Sequence, residues 1–297
     1  MPKDNPMEGL LNSYEISLVV KAAISVIMAL SLNMITGFCG QISLGHAAFQ
    51  GVGAYTAVIL TLQGIHFALA TAGGMVAAGI LGFIVGLTSL RVRHDFLAIT
   101  TMGVVFLFSG IVEQTKALGD TDGLSNYPHP ELGPFNYMIM TVSLAIFVLL
   151  ISVYVQRSWM GLAFKSIADD EDTARVVGVD VAGFKLAAFV MGTMIAGMGG
   201  SIYAHQTTII QASDFGFIES ITILSMVVFG GVGSIPGVIL AAIVLTLLPL
   251  WSQAIGDYKL LFYGGLLFIM MRFSPQGVSG LAHQALILIR DRGKGRA

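Results

Sequence analysis

The chain has 297 residues, 55% of them hydrophobic and only 11% charged, with a formal net charge of −2. Soluble domains carry about 25% charged residues, so this composition excludes an ordinary soluble domain and marks an integral membrane protein. The small net charge gives no ground for a nucleic-acid partner, and a single cysteine, Cys39, excludes an internal disulfide and a cysteine-built metal site.

The apolar runs are long and unbroken, without the alternation in segments of about ten residues that a barrel needs. The expected fold class is therefore all-α, because a helix pairs its own backbone groups in lipid. The start, MPKDNPMEGLLNSYE, has no basic stretch and is read as a polar segment, 1–16, with no cleaved signal peptide. A helix needs about 20 apolar residues to cross the hydrocarbon core. Spans are expected at 17–36, 44–63, 67–90, 96–114, 136–156, 185–205, 218–232, 236–252 and 258–272. The total is about nine, or eight to ten, because Gly-rich interruptions in 44–63 and 218–252 make half-helices an alternative. The membrane domain thus covers 17–272, with a long polar loop at 157–184 and a tail at 273–297.

Lys and Arg set orientation, since loops on the cytoplasmic side hold their excess. Arg91 and Arg93 flank one short loop, Arg157, Lys165, Arg175 and Lys185 lie in or beside 157–184, and Arg272, Arg290, Arg292, Lys294 and Arg296 lie in or beside the tail. The alternate loops, 115–135, 206–217 and 253–257, hold only Lys116. These counts put loop 157–184 and the C-terminus inside. The outer loop ALGDTDGLSNYPHPELGPF is rich in turn dipeptides. Asp214 and Glu219 are expected at the outer mouth of the later spans, and Lys21 is expected to reach the interface.

Three stretches interrupt the apolar pattern. The first is GFCGQISLGHAAFQGVGAYT, 37–56, with five glycines and the polar Gln41, Ser43 and His46. Unwound backbone at membrane depth is tolerated where it is buried in protein or lines a water-filled cavity. Small residues at such spacing also let helices touch, so packing and path-lining both stand. Ser43 is a candidate cap for a helix starting near Leu44. His46 has no second ligand at i+3 or i+4 and reads as a hydrogen-bonded interior residue. The second stretch, RSWMGLAFKSIADDEDTARVVGVDVAGF, suggests an amphipathic helix over about 160–177, with Leu162, Ile167, Ala174 and Val177 on one face and Gly178 as its stop. Such a helix either docks a soluble partner or lies solvated at the interface. The third is FGGVGSIPGVILAAIV, 229–244, broken by Pro236 and its glycines. Paired broken segments point to a transport site. GGVGSIPG lacks the lysine of a phosphate-binding loop, so ATP, if used, is hydrolysed by another subunit.

GFCGQISLGHAAF resembles the G-x-x-G-Q-x-S-L-G-H-A-A-F signature of the LivM-type permeases of bacterial branched-chain amino acid ABC importers. RVRHDFLAITTMGV, GDTDGLSNYP, the stretch from Gly161 to Ala204 and FGGVGSIPGVILAA resemble that family's later segments, in order, over about 17–272. Many members read R-G-D/x-Y-F-A where this chain has Arg93, His94, Asp95 and Phe96. The resemblance implies a permease that does no covalent chemistry and binds no cofactor or metal itself, with ATP used by partners. Those partners would be two cytoplasmic ATPases, a second, LivH-like permease and a periplasmic solute-binding protein, assembled in the bacterial inner membrane. Asp172, Thr173, Ala174 and Gly178 fall on an E-A-A-x-x-x-G coupling motif, departing from it at Asp172 and Thr173. The expected path residues are Gly40, Gln41, Ser43, Gly45 and His46 from the first break and Gly231, Gly233 and Ser234 from the second. The solute expected is a branched-chain amino acid. The alternatives are urea or short amides on the same fold, or an ion-driven transporter, which would need ionisable residues inside its spans.

Overall fold

A computed structural model of the chain describes residues 12–89, 94–130, 132–251, 258–273, 277, 278 and 280. Helix α1 (Ser13–Leu32) runs on into a π-helical stretch, Asn33–Phe38. It is followed by α2 (His46–Leu62), α3 (Phe67–Ser89), α4 (His94–Gln114), α5 (Pro134–Arg157), α6 (Trp159–Asp169) and α7 (Glu171–Val176). Then come α8 (Val181–Gln206), α9 (Phe217–Gly230), α10 (Ile235–Trp251) and α11 (Lys259–Phe273). Every apolar segment read from the sequence carries a helix. Among the described residues, six helical stretches are long and apolar enough to cross a membrane: Ser13–Phe38, Phe67–Thr88, Leu97–Gln114, Pro134–Arg157, Val181–Gln206 and Ala212–Gly230. The fold is an all-α membrane bundle. Arg91, Arg93, Arg290, Arg292, Lys294 and Arg296, with most of the tail 273–297 and of the segment 1–16, lie outside the described residues.

Two readings from the sequence change. The break does not interrupt 44–63: it lies ahead of α2, between Phe38 and His46. The single helix expected over 160–177 is two helices. Asp170 takes an extended backbone (φ −160°, ψ 112°), and its Oδ1 accepts from the Thr173 N–H at 2.8 Å, so it caps α7 instead of continuing α6. The expected apolar face divides with it: Ile167 and Ala174 are buried, while Leu162 and Val177 are exposed.

The centre of the bundle is α2, packed against α3 and α8. In lipid, association comes from van der Waals contact and interhelical hydrogen bonds, which favours small residues. Gly53 of α2 meets the backbone of Gly197 in α8, and Gly74 of α3 meets the Gly53 carbonyl, where an added Cβ would lie 2.6 Å from that oxygen. Ser201 joins the layer, its hydroxyl 3.1 Å from the Gly53 carbonyl and 2.9 Å from that of Gly197. Around this centre α4 and α5 turn Phe106, Leu107, Ile111, Phe147 and Leu150 outward, as helices facing lipid do.

The loop between α4 and α5 is clipped to the start of the α8–α9 connection by a two-residue antiparallel ribbon, β1 (Leu124–Ser125) with β2 (Ile209–Ile210). Tyr127 donates to the Ala204 carbonyl at 2.6 Å and lies 2.7 Å from that of Thr207, and burial holds its phenol above the usual range. The loop is thereby fixed to the end of α8.

The glycine contacts are testable by volume. Gly53→Leu is expected to abolish accumulation of folded protein, since overpacking costs about 1–3 kcal/mol even where a core yields and here the neighbour is backbone. Gly103→Ala, with open space around the position, is expected to leave accumulation unchanged. Membrane levels and detergent melting curves of both variants are the measurement.

Candidate functional site

The two Gly-rich breaks meet. In the π-helical stretch after α1, Asn33 is fully buried, and its Oδ1 accepts from the Gly233 N–H at 2.9 Å. Gly37 and Gly233 touch backbone to backbone, so a Cβ on Gly37 would lie 2.6 Å from the Gly233 nitrogen. On the other side Gln156, near the end of α5, donates to the Gly233 carbonyl at 3.1 Å. Gly231 (φ 105°) and Gly233 (φ 83°) take left-handed backbone that other residues rarely adopt. Ser234 opens the next helix, its Oγ 3.4 Å from the Gly237 nitrogen.

The rest of the first break is held by side chains from distant elements. Thr36 donates to the Gln41 carbonyl at 2.9 Å, and Gln41 donates to the Lys185 carbonyl, at the start of α8, at 2.9 Å. The Leu44 N–H bonds Thr101 Oγ1 at 3.0 Å, and the Ala47 N–H bonds Ser220 Oγ at 3.1 Å. Thr101 and Ser220 thus pair the donors at the start of α2. Ser43 does not fill the capping role expected of it: its Oγ is buried without a partner among the described residues, and Gly45 occupies the N-cap position. Gly45 lies against the Thr101 carbonyl, at a helix crossing. His46 is fully buried, with Nε2 2.6 Å from Ser31 Oγ. Asn33 Nδ2, Ser43 Oγ and His46 Nδ1 each remain buried with no partner among the described residues.

The break rests on the polar helices. Gly40 (φ 71°) packs against Ala168 of α6, where an added Cβ would lie 3.1 Å from the Ala168 Cα. Lys185, whose carbonyl binds Gln41, sends its ammonium to Glu171 of α7 at 2.7 Å, and both side chains are largely buried. In α7, Ala174 is buried, whereas Asp172 and Thr173 face outward. Gly178 (φ 89°) closes the helix: the Val179 N–H bonds the Ala174 carbonyl at 3.0 Å and the Gly178 N–H bonds that of Arg175 at 3.1 Å. Those two bonds form the glycine-terminated helix end that the sequence suggests. Beside it Val176 and Val177 are 87% and 71% exposed.

The Thr173 N–H holds the Asp170 carboxyl below its ordinary range. The stability of this cap is therefore present above the unfolded carboxylate pKa of about 3.9 and is lost only as the pH falls through the lowered value. It does not titrate near neutrality.

The two breaks thus meet at Asn33, Gly37 and Gly233, while Asp172, Thr173, Ala174 and Gly178 form a second region joined to the first break through Glu171, Lys185 and Gln41. Asn33, Ser31, Thr101 and Ser220 were not singled out from the sequence. Asn33 alone carried a signal there, an amide inside an otherwise apolar span. Asn33→Leu keeps the branched outline of the side chain and leaves the Gly233 N–H unpaired. It is expected to destabilise the purified protein by about 1–3 kcal/mol; an unchanged melting curve would show that the bridge contributes nothing.

Residues 15–271 match the family model described as branched-chain amino acid transport system / permease component. A relative in Escherichia coli, the high-affinity branched-chain amino acid transport system permease protein LivM, is 31% identical over 92% of this chain and 71% of its own length. LivH of the same organism, also a high-affinity branched-chain amino acid transport system permease protein, is 24% identical over 86% of this chain and 90% of its own. BraD of Pseudomonas aeruginosa, described in the same words, is 24% identical, with 86% of this chain and 91% of its own covered. No solved structure matches the chain. With a family model covering nearly the whole bundle and a relative above 30% identity, the chain belongs to the branched-chain amino acid transport permease family.

Proposed function

We propose that this chain is a permease subunit of an ATP-driven importer and forms half of a translocation path for branched-chain amino acids. The observation that carries this reading is the contact of the two breaks at Asn33, Gly37 and Gly233, with the first break resting on the polar helix α6 at Gly40. Unwound backbone from two parts of the chain is thereby brought together, and Gly40 and Gln41 tie it to the surface that a soluble motor would reach. The unpartnered atoms of Asn33, Ser43 and His46 suit a path that opens and exposes them. The relatives' names favour branched-chain amino acids over urea or short amides, and the docking surface at α7 favours a motor subunit over ion coupling.

The partners proposed are two cytoplasmic ATPases, a second permease and a periplasmic solute-binding protein, in a bacterial inner membrane. ATP is handled by the ATPases, and this chain binds no cofactor of its own. Val176 and Val177, beside Asp172 and Thr173, offer a mixed apolar and acidic face for an ATPase groove. ATP-bound ATPases drawing two such faces together would shift the bundles between two packings. All nine apolar segments span, including the shorter α2, α10 and α11, and the excess of Lys and Arg on one side favours a cytoplasmic loop 157–184 and C-terminus.

Gentle purification of the tagged chain from native membranes tests the assembly. The expected outcome is co-purification of a soluble ATPase and a second permease; recovery of the chain alone would reject it. Gly178→Pro cannot adopt the backbone of the α7 end and is expected to abolish ATPase recovery and uptake at equal expression. In a separate test of topology, a reporter fused after Ala297 is expected to report from the cytoplasm, and a periplasmic signal would overturn the orientation.

A further inference from the structure

Along α1, Lys21 lies 12 residues before Asn33, about 18 Å from the break at helical rise. A cavity of about 450 Å³ opens there, between α1, α9 and the Ala212–Phe215 turn, with α2 behind it. This volume lies within the range of small-molecule sites. Its wall carries charges of both signs: the ammonium of Lys21 faces the same space as the carboxylates of Asp214 and Glu219. Asp214 is fixed in place by the Gln211 N–H, which donates to its Oδ2 at 3.0 Å. Ile24, Met28, Ile223 and Met226 supply an apolar surface beside them.

Gln50 sits at the inner end. Its side chain lines the cavity, is only 4% exposed, and leaves Oε1 with no partner among the described residues. A buried amide oxygen without a donor is costly, and the N–H of a bound molecule would complete it. One helical turn further in, Ser31 and His46 are joined and fully buried, so the cavity ends at Met28 and Gln50.

An inorganic ion would use the charges and waste the apolar wall, and a hydrocarbon would leave the charges and Gln50 unused. We propose that the cavity is a low-affinity waystation for a small zwitterion with an aliphatic side chain. The ammonium binds Gln50 Oε1 and the Asp214 carboxylate, the carboxylate faces Lys21, and the side chain lies against Met28 and Met226. The proposal rests on the permease reading and adds to it a binding step on this chain, distinct from capture by a separate binding protein.

The test uses the assembled complex in phosphatidylglycerol nanodiscs, a lipid without an ammonium headgroup, and no binding protein. Tritiated leucine is expected to bind saturably. 3-Methylbutylamine, which lacks the carboxylate, and 4-methylpentanoate, which lacks the ammonium, are expected to compete at least about tenfold more weakly. Gln50→Met and Lys21→Met are each expected to weaken leucine binding about tenfold or more while the ATPases still co-purify. Lys21 is exposed, so its variant keeps the test readable if Gln50→Met does not assemble. Equal competition by all three compounds, or unchanged binding in a variant that assembles, overturns the waystation. Leucine import that persists with binding protein while neither variant alters binding or import overturns the waystation and leaves the permease reading intact. A wild-type complex that assembles with no ATPase and imports no leucine overturns both.

Discussion

At membrane depth a backbone N–H has no water to bond, so a chain can leave the helix only where another part of the protein supplies a partner. The Asn33 amide is that partner for Gly233. The π-helical stretch from Asn33 to Phe38 shifts the register of α1 and starts the departure from regular helix. The second break, between α9 and α10, folds back on it closely enough that neither Gly37 nor Gly233 has room for a larger residue without movement. Remove the amide, and two unwound segments lose the bond that lets them share one place in the bundle.

From that contact the chain runs outward through short, directional bonds. Gln41 holds the carbonyl of Lys185, the Lys185 ammonium holds Glu171, and Glu171 begins α7. Gly40 meanwhile lies on Ala168 of α6. A displacement of α6 and α7 therefore acts on the first break at two adjacent residues, one by contact and one by hydrogen bond. The Lys185–Glu171 pair is largely removed from water, so salt screens it less than a surface pair. Coupling of this kind requires a two-state element that both ends bias. The two breaks meet through side-chain bonds, from Asn33 to the Gly233 N–H and from Gln156 to its carbonyl.

Much of this was legible in the sequence because lipid imposes a simple rule on composition. Long apolar runs gave the helices, and clustered glycines gave both breaks. Gly178 was readable as a helix stop because only glycine comfortably takes the left-handed backbone found there. What could not be read is what depends on which distant residues meet. Asn33 looks like a lone polar residue in an apolar span until Gly233 is beside it. Thr101 and Ser220 look like ordinary small helix residues until they bond the open start of α2. The period of 160–177 suits one helix, but Asp170 competes for the Thr173 N–H and breaks it. Local pattern finds the apolar face and misses the cap, because capping and continuing are close in energy.

The cavity and the breaks lie at successive depths along α1, with the Ser31–His46 layer between them. On the proposed route a solute leaving Gln50 meets that layer next, and beyond it the Asn33–Gly233 contact. Both are side-chain bonds across the path, not helix ladders. A typical intramolecular hydrogen bond contributes about 0.5–1.5 kcal/mol net. Opening the layer therefore disrupts a few bonds of that size while α2, α3 and α8 keep their Gly53, Gly74 and Gly197 packing. Differential affinity of a few kcal/mol suffices to shift such an equilibrium, which is within reach of a partner that grips one packing of α6 and α7 better than the other. The tight glycine centre and the loosely bonded breaks are thus complementary: one resists deformation so that the other can change.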